Sequence, residues 1–404
     1  MNDKKIRILS VGDNPLVSTG YGQVYNNLLT RWCKAKPDWE FYHIGWQNQD
    51  RMHQRKEGYF MLPMGRIEHG YDAVAENLIK LQPEIFISLS DVGYQSGYVQ
   101  VVNDARQAGW RGKWLAYTPL DSHGWAWTWD EIFQHPDINI AMAKFGEAQM
   151  KKHNVPNVTC IPHGVDLEVY KPVDKDTRAT LKAKYNLSDK FVVGYVGRNQ
   201  KRKMLDRLLM SFAIFAKDKP DVVLLLHTDE EPVRDGMGWS LPYMLNLFGI
   251  KDKVKLTKSK LDVQVRQKIQ PENMNEIYNM MDVFAYYTGG EGFGLPGIEC
   301  QASGVPLIMT DCTTAYDFCK PENRIAKLKD KHNRDSIDIG ANGIYFMYPD
   351  DIHGAALLNK FYHLSKLNPV EYAKEGIEAR KIATQYSWED MANAWIRLFE
   401  EQLE

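Results

Sequence analysis

No stretch of this chain approaches the run of roughly 20 apolar residues that a membrane-crossing helix needs. An integral membrane segment is therefore not expected. Neither sign of charge is in excess: 50 Lys and Arg meet 52 Asp and Glu, a formal net charge of −2. That balance disfavours a dedicated nucleic-acid binder, which needs a basic face. Cysteine is sparse, with five residues at positions 33, 160, 300, 312 and 319. Their number is odd and no metal-ligand spacing appears, so reduced, buried thiols of a cytoplasmic protein are expected. The opening Met1-Asn2-Asp3-Lys4-Lys5 leads straight into a short strand without an apolar leader, which points the same way. Internal repeats and low-complexity segments are missing as well.

What is present is material for two cores. The chain has 404 residues, 44% of them hydrophobic and 25% charged, more than one hydrophobic core usually serves. Short apolar runs at 6–11, 40–44, 85–89, 114–118 and 138–142 read as strands, with helical patterns between them. That alternation predicts a parallel sheet covered by helices on both faces. Ligands of such sheets bind beyond the carboxyl ends of the strands. The rule directs attention to Ser90-Asp91, to Asp121-Ser122-His123 and to Lys144-Phe145. Gly20 and Gly22 follow the first strand, but their spacing misses the Gly-x-Gly-x-x-Gly of a dinucleotide site, so no nicotinamide cofactor is expected. Trp125, Trp127 and Trp129 are read as a packed lid in preference to a stacking wall for a sugar or base.

Residues 171–190 are polar and charged, as a linker is, which places a boundary near residue 170. Within them Asp174-Lys175-Asp176 mimics a metal-binding triplet but reads as a solvated charge run. A second apolar strand system opens at 191–198, ending in Gly197-Arg198. Lys201-Arg202-Lys203 then precede a helix whose Leu205, Leu208, Leu209, Phe212 and Phe215 share one face. Cations at a helix start oppose the dipole, a placement best explained by a bound anion. Further on, Lys251, Lys253, Lys255, Lys258 and Lys260 read as guards of an exposed strand edge.

The stretch richest in chemistry is Gly289-Gly290-Glu291-Gly292-Phe293-Gly294-Leu295-Pro296-Gly297-Ile298-Glu299. It follows an apolar run at 283–287, and Pro296 suits the first turn of a helix that would stop near Gly304. Strand, glycine-rich loop and helix N-terminus together present backbone N–H groups and a positive dipole end to an anion. Two glutamates, Glu291 and Glu299, separated by seven residues, frame the loop. This stretch resembles the signature loop of family four of the retaining GT-B glycosyltransferases, glycines and Phe-Gly-Leu-Pro included. Residues 158–172, with Pro162-His163-Gly164-Val165-Asp166 and Tyr170-Lys171-Pro172, resemble that family's domain junction.

The resemblance implies an α/β, GT-B fold of two doubly wound Rossmann-like domains facing a central cleft. Residues 1–170 would form the acceptor-binding domain and 171–384 the nucleotide-sugar domain. Residues 385–404 would be a helix crossing back to the first domain. It implies that Arg198 and Lys203 hold the donor's diphosphate, with Met204 where the family has glycine. Gly20 and Gly22 would form a loop facing the donor. Gly292, Phe293, Gly294 and Leu295 would cradle it, Glu299 would bind the ribose, and Glu291 would lie beside the donor sugar. His123 or Asp121 would touch a sugar, although 118–123 departs from the family's pattern. Cys312-Thr313-Thr314 replaces the family's Gly-Gly turn. The implied activity is retaining hexosyl or related transfer from a nucleotide-diphosphate sugar to an acceptor hydroxyl, with no metal and no resident cofactor. The acceptor stays open among saccharide, lipid, protein and modified nucleic-acid base. A nucleotide-sugar epimerase or hydrolase, or a non-catalytic sugar-nucleotide binder, are the competing readings.

Overall fold

The computed structural model describes residues 5–232, 237–257 and 271–404. It divides into two compact units. One runs through Leu120 and includes Trp125–Gly164 and Trp388–Glu404; the other is Asp121–Gly124 with Val165–Ser387.

The first unit begins with β1 (Arg7–Asp13), α1 (Gly20–Ala35), β2 (Glu40–Trp46), β3 (His53–Gln54) and β4 (Phe60–Leu62). It continues through α2 (Tyr71–Leu81), β5 (Ile85–Leu89), α3 (Val92–Gln107) and β6 (Lys113–Thr118). The chain then passes through β7 (His123–Gly124), which belongs to the other unit, and comes back as α4 (Trp129–Phe133), β8 (Ile138–Ala141), α5 (Lys144–Lys152) and β9 (Val158–Cys160). The sheet order is β3-β4-β2-β1-β5-β6-β8-β9. All its pairings are parallel except β3 with β4. Nearly every residue of β1, β2, β5 and β6 is buried, as strands covered on both faces must be. On one face Leu9, Val11 and Phe86 pack with Val74, Tyr98 and Val102 of α2 and α3.

The second unit holds α6 (Lys175–Lys184), β10 (Phe191–Val196), α7 (Leu205–Ala216), β11 (Val222–His227), α8 (Leu241–Leu247) and β12 (Val254–Leu256). Next come α9 (Pro271–Asn279), β13 (Val283–Tyr286), α10 (Leu295–Ala302), β14 (Leu307–Thr310), α11 (Ala315–Phe318) and β15 (Arg324–Ile325). β16 (Ile337–Ile339), β17 (Ile344–Met347), α12 (Asp351–Leu367) and α13 (Pro369–Ala383) complete it. Its parallel sheet has the order β12-β11-β10-β13-β14-β15, so the chain works outward from β10 in one direction and then in the other. α14 (Trp388–Leu403) belongs to the first unit, where Trp395 and Phe399 meet Trp32 of α1 edge-on at 5.5 and 5.1 Å.

Three expectations change at this level. Residues 121–124 sit apart from the rest of 1–170, because β7 pairs antiparallel with β17 in a small sheet ordered β16-β17-β7. The segment 171–190 carries α6 and is not a linker, although Asp174, Lys175 and Asp176 are exposed as expected. Asp174 caps α6 by accepting from the N–H groups of Asp176 and Thr177, and Arg178 and Lys182 of that helix each reach Asp282 at 2.8 Å. Polar composition here reflects a helix held by buried charge, which a hydrophobicity reading cannot register. The lysine run is partly structural: Lys253 and Lys255 donate to backbone carbonyls of Lys219 and Tyr185 at 2.9 Å, while β12 does form a sheet edge. Lys258 and Lys260 lie outside the described residues.

The tryptophan cluster is divided. Trp125 stacks on His153 at 4.2 Å and 3° and packs with Trp129 and Phe133, whereas Trp127 is 74% exposed.

Candidate active site

In the second sheet the strand order reverses between β10 and β13, and such a switch point opens a crevice at the carboxyl ends of the strands. The loops that leave these two strands carry the cations and the first glutamate. After β10 comes Gly197-Arg198 and a single 3₁₀ turn, Lys201–Lys203. Met204 then adopts left-handed backbone (φ 46°), directly before α7. A glycine would enter this conformation without a steric penalty; here Met204 is kept there with its side chain buried.

After β13 the chain runs Tyr287-Thr288-Gly289-Gly290-Glu291 before α10. Gly289 N–H donates to the Arg202 carbonyl at 2.7 Å, which ties the two loops together. A Cβ on Gly290 would stand 2.1 Å from the Asp121 carbonyl oxygen, so only glycine fits there. Glu291 N–H donates to Thr313 Oγ1 at 2.9 Å. Thr313 itself has left-handed backbone (φ 39°), costly for a β-branched residue, at the turn where the Gly-Gly pair was missed in the sequence.

These bonds aim Glu291 inward. Its side chain is 6% exposed, with Oε1 2.6 Å from Lys203 Nζ and Oε2 3.4 Å from Arg202 Nη1. Arg202 also reaches Asp121 Oδ2 with Nε at 3.4 Å and donates to the Gly290 carbonyl. Lys203 Nζ lies 3.4 Å from the Tyr286 hydroxyl. Burial by itself would raise the Glu291 carboxyl, but Lys203 and Arg202 outweigh it and hold the pKa at about 2. Burial lowers the Lys203 ammonium, an effect the Glu291 carboxylate only partly offsets.

Glu299 belongs to a different hydrogen-bonded group. It is buried on α10 and accepts from the Tyr278 hydroxyl of α9 at 2.8 Å. Burial pushes its carboxyl up to about 7, against the smaller opposing effect of hydrogen bonds from Tyr278 and Tyr170.

The other expected residues distribute as follows. Arg198 is exposed. Gly292, Gly294 and Leu295 are half-buried along the loop, with Gly294 (φ 94°) as the N-cap of α10. Phe293 is buried, its ring in a cluster with Phe318 and Tyr386 at 5.7 and 5.8 Å. Asp121 joins the ionic group through Arg202. His123 does not: it stacks on Tyr345 at 5.7 Å in the small sheet, and burial, with Lys327 adding to it, brings its pKa down to about 4. Gly20 and Gly22 open α1 in the first unit, where Thr19 Oγ1 accepts from Gly22 N–H at 3.0 Å. A Cβ on Gly22 would come within 2.8 Å of the Val17 and Asn14 carbonyls, so its absence serves a tight turn. Arg202 and Thr313 escaped the sequence reading as site residues. The one signal for Arg202 was its place inside Lys201-Arg202-Lys203. Among the described residues no three His, Cys, Asp or Glu side chains gather as a metal site.

Residues 177–337 match the family model of the group 1 glycosyl transferases. The match covers the whole β10-to-β15 sheet with both glutamates. A capsular polysaccharide biosynthesis glycosyltransferase, CapM of Staphylococcus aureus, is 35% identical over 139 residues, 34% of this chain and 33% of CapM. The chain spans about a third of the length of the curated relatives it matches. Solved structures extend the likeness to the full chain. Sucrose-phosphate synthase of Thermosynechococcus elongatus superposes with a TM-score of 0.72 at 17% identity, covering 99% of both chains. Anabaena HepE, solved with UDP and glucose, gives 0.67 at 13% identity over 98% of this chain and all of its own. The fold is GT-B, with two Rossmann-like units. Among the described residues no helix is long and apolar enough to cross a membrane.

Proposed function

We propose that this chain is a retaining glycosyltransferase that moves a hexosyl or related group from a UDP-sugar to an acceptor hydroxyl. The observation that carries the reading is the Glu291–Lys203–Arg202 group on two glycine-bearing loops at the switch point of the second sheet. The group 1 match over the same residues and the UDP seen in HepE support it.

In this reaction the bond between the anomeric carbon and the β-phosphate oxygen breaks, and the acceptor oxygen bonds to that carbon on the same face. The acceptor's proton passes to the departing diphosphate. What the protein supplies is charge and position. Arg198, exposed beside the loop, and Lys203 receive the diphosphate, and the N-terminus of α10 faces it with backbone N–H groups. Glu291 stands by the donor sugar as positive charge develops at the anomeric carbon. Glu299 accepts from the ribose hydroxyls. With two side-chain cations and a helix terminus on the leaving group, no divalent metal is needed for charge neutralisation. Asp121 and His123 have positioning parts: the first restrains Arg202, the second secures the 121–124 segment.

The decisive experiment offers UDP-, GDP- and ADP-sugars to the purified chain and follows thermal stabilisation and nucleotide release. UDP at a hundred times its dissociation constant adds about 2.7 kcal/mol. Transfer should persist in EDTA and give product with the donor's anomeric configuration by NMR. Loss of turnover in EDTA would remove the metal-independent mechanism. Release of free sugar at full rate without acceptor would make the chain a hydrolase.

A further inference from the structure

In the second unit α7 and α8 show solvent an apolar face. They are successive crossovers, β10-α7-β11-α8-β12, so they lie on one side of the sheet and pack together. Beyond the first turn of α7 the residues that reach solvent are Met210, Ala213 and Ile214, over buried Leu208, Phe212 and Phe215. On α8 they are Pro242, Tyr243, Asn246 and Leu247, over buried Leu241 and Met244. Ile214 is 50% exposed, Leu247 61% and Tyr243 66%. A helix face that keeps only water outside it normally carries charge. Here α8 has no charged residue, and those of α7 are confined to its first turn, where Arg207 is tied to Asp206 and Asp351.

Charge appears where the two helices end. α7 runs directly into Lys217-Asp218-Lys219, and four residues separate the end of α8 from Lys251 of Lys251-Asp252-Lys253. Lys253 Nζ donates to the carbonyls of Ala216 and, at 2.9 Å, of Lys219, which brings the two turns together. Lys190 Nζ reaches the Pro220 carbonyl beside them at 2.9 Å. Across 189–190, 217–221 and 251–255 six lysines meet four acids, Asp189, Asp218, Asp221 and Asp252. Asp221 is already taken by Lys366 at 2.8 Å, so six lysines against the other three acids leave an excess of three positive charges.

An uncharged apolar face with a lysine border limits what can cover it. Duplex nucleic acid would use the lysines alone, since its phosphates gain nothing from Ile214, Tyr243 or Leu247. A second copy on a two-fold axis would present the same positive patch and add repulsion to the apolar gain. A layer of anionic lipid answers both halves. Apolar side chains and a tyrosine enter the boundary between headgroups and acyl chains, and ammonium groups meet the phosphates.

We propose that the outer face of α7 and α8 docks the chain on an anionic membrane surface. Ile214, Tyr243 and Leu247 enter the headgroup boundary, and Lys217, Lys219, Lys251 and Lys253 meet the lipid phosphates. Membrane docking does not depend on the glycosyltransferase reading. The test is co-sedimentation of the full chain with vesicles of phosphatidylcholine, with and without phosphatidylglycerol, and a titration with short duplex DNA as a polyanionic comparator. The chain should pellet with the mixed vesicles, be released as salt is raised, and stay in solution beside phosphatidylcholine alone. Binding should fall about tenfold or more in the double variant Lys217→Glu, Lys251→Glu. A separate double variant, Tyr243→Ser, Leu247→Ser, should lose about as much. All four side chains are exposed, so the melting temperature should hold in both. No binding to mixed vesicles, equal binding to phosphatidylcholine, or full binding kept by either double variant would each overturn the proposal. So would DNA bound by the wild type and lost only with the lysines.

Discussion

Glu291 and Glu299 are chemically identical, eight positions apart, and the fold gives them opposite protonation behaviour. Lys203 and Arg202 keep Glu291 ionised, while burial raises the Glu299 carboxyl to about 7 against the opposing hydrogen bonds from Tyr278 and Tyr170. Glu291→Gln should lower turnover by about 10²-fold, as lost transition-state electrostatics do, and leave UDP affinity within about twofold. Glu299→Gln should instead weaken UDP itself, and calorimetry with free UDP separates the two. If the pattern comes out reversed, the assigned roles are reversed. The Glu299 carboxyl, at about 7 in the fold against 4.5 as the ordinary value, also predicts a pH effect on stability. The unfolded chain releases this proton first, so the contribution is fully present below pH 4.5 and lost as pH rises through 7. Over that window it amounts to about 3 kcal/mol. Urea midpoints of Glu299→Gln measured from pH 5 to 8 should decline less than those of the wild type; parallel curves would place the titration elsewhere. Arg202 offers a third residue-scale test. Lysine keeps its charge but lacks the planar fork that reaches Asp121, Glu291 and the Gly290 carbonyl together. Arg202→Lys should therefore reduce kcat with little change in KM for the donor.

Among the elements, α6 shows how a polar segment is made part of a core. Asp282 lies at the start of β13, buried, and accepts from Arg178, Lys182 and the Val192 N–H at 2.8, 2.8 and 2.7 Å. Burial opposes its ionisation, and the two cations overcome this, keeping it below the usual carboxylate range. Removing one member of such a group leaves charge stranded, at a cost of about 3 kcal/mol. Asp282→Asn should lose that much in urea unfolding, whereas a solvated linker would lose almost nothing. The loop elements are fixed by contacts of the same specificity. Thr313 accepts left-handed backbone and in return receives the Glu291 N–H, so Thr313→Gly exchanges relieved strain for a lost hydrogen bond.

For the whole molecule, the end of the chain is the element with the longest reach in sequence. α14 packs Trp395 and Phe399 against Trp32, and Arg31 pairs with Glu389 at 2.9 Å, all within the first unit. Ending the chain at Ser387 should strip the aromatic cover from α1 and unfold that unit. UDP binding, which the proposed function assigns to the second unit, should survive. Circular dichroism together with UDP calorimetry on the truncated chain reads both, and loss of UDP binding would show that the second unit depends on the first for its folding.

The sequence by itself determined what is local and periodic. Short apolar runs between helical patterns specified two parallel sheets, because strands buried on both faces have no other composition available. The 289–299 stretch specified a strand, a glycine loop and a helix start, since Gly294 and Pro296 each answer a backbone requirement at the start of α10. Only the tertiary structure decided matters that depend on partners far along the chain. Residues 121–124 lie in the second unit because β7 completes a sheet with β17, more than 200 positions later. Lys203 meets Glu291 across 88 positions, Lys182 meets Asp282 across 100, and Tyr278 reaches Glu299 from another helix. Whether a buried carboxylate ionises depends on which cation or hydroxyl the fold carries to it, and no spacing in the sequence encodes that distance.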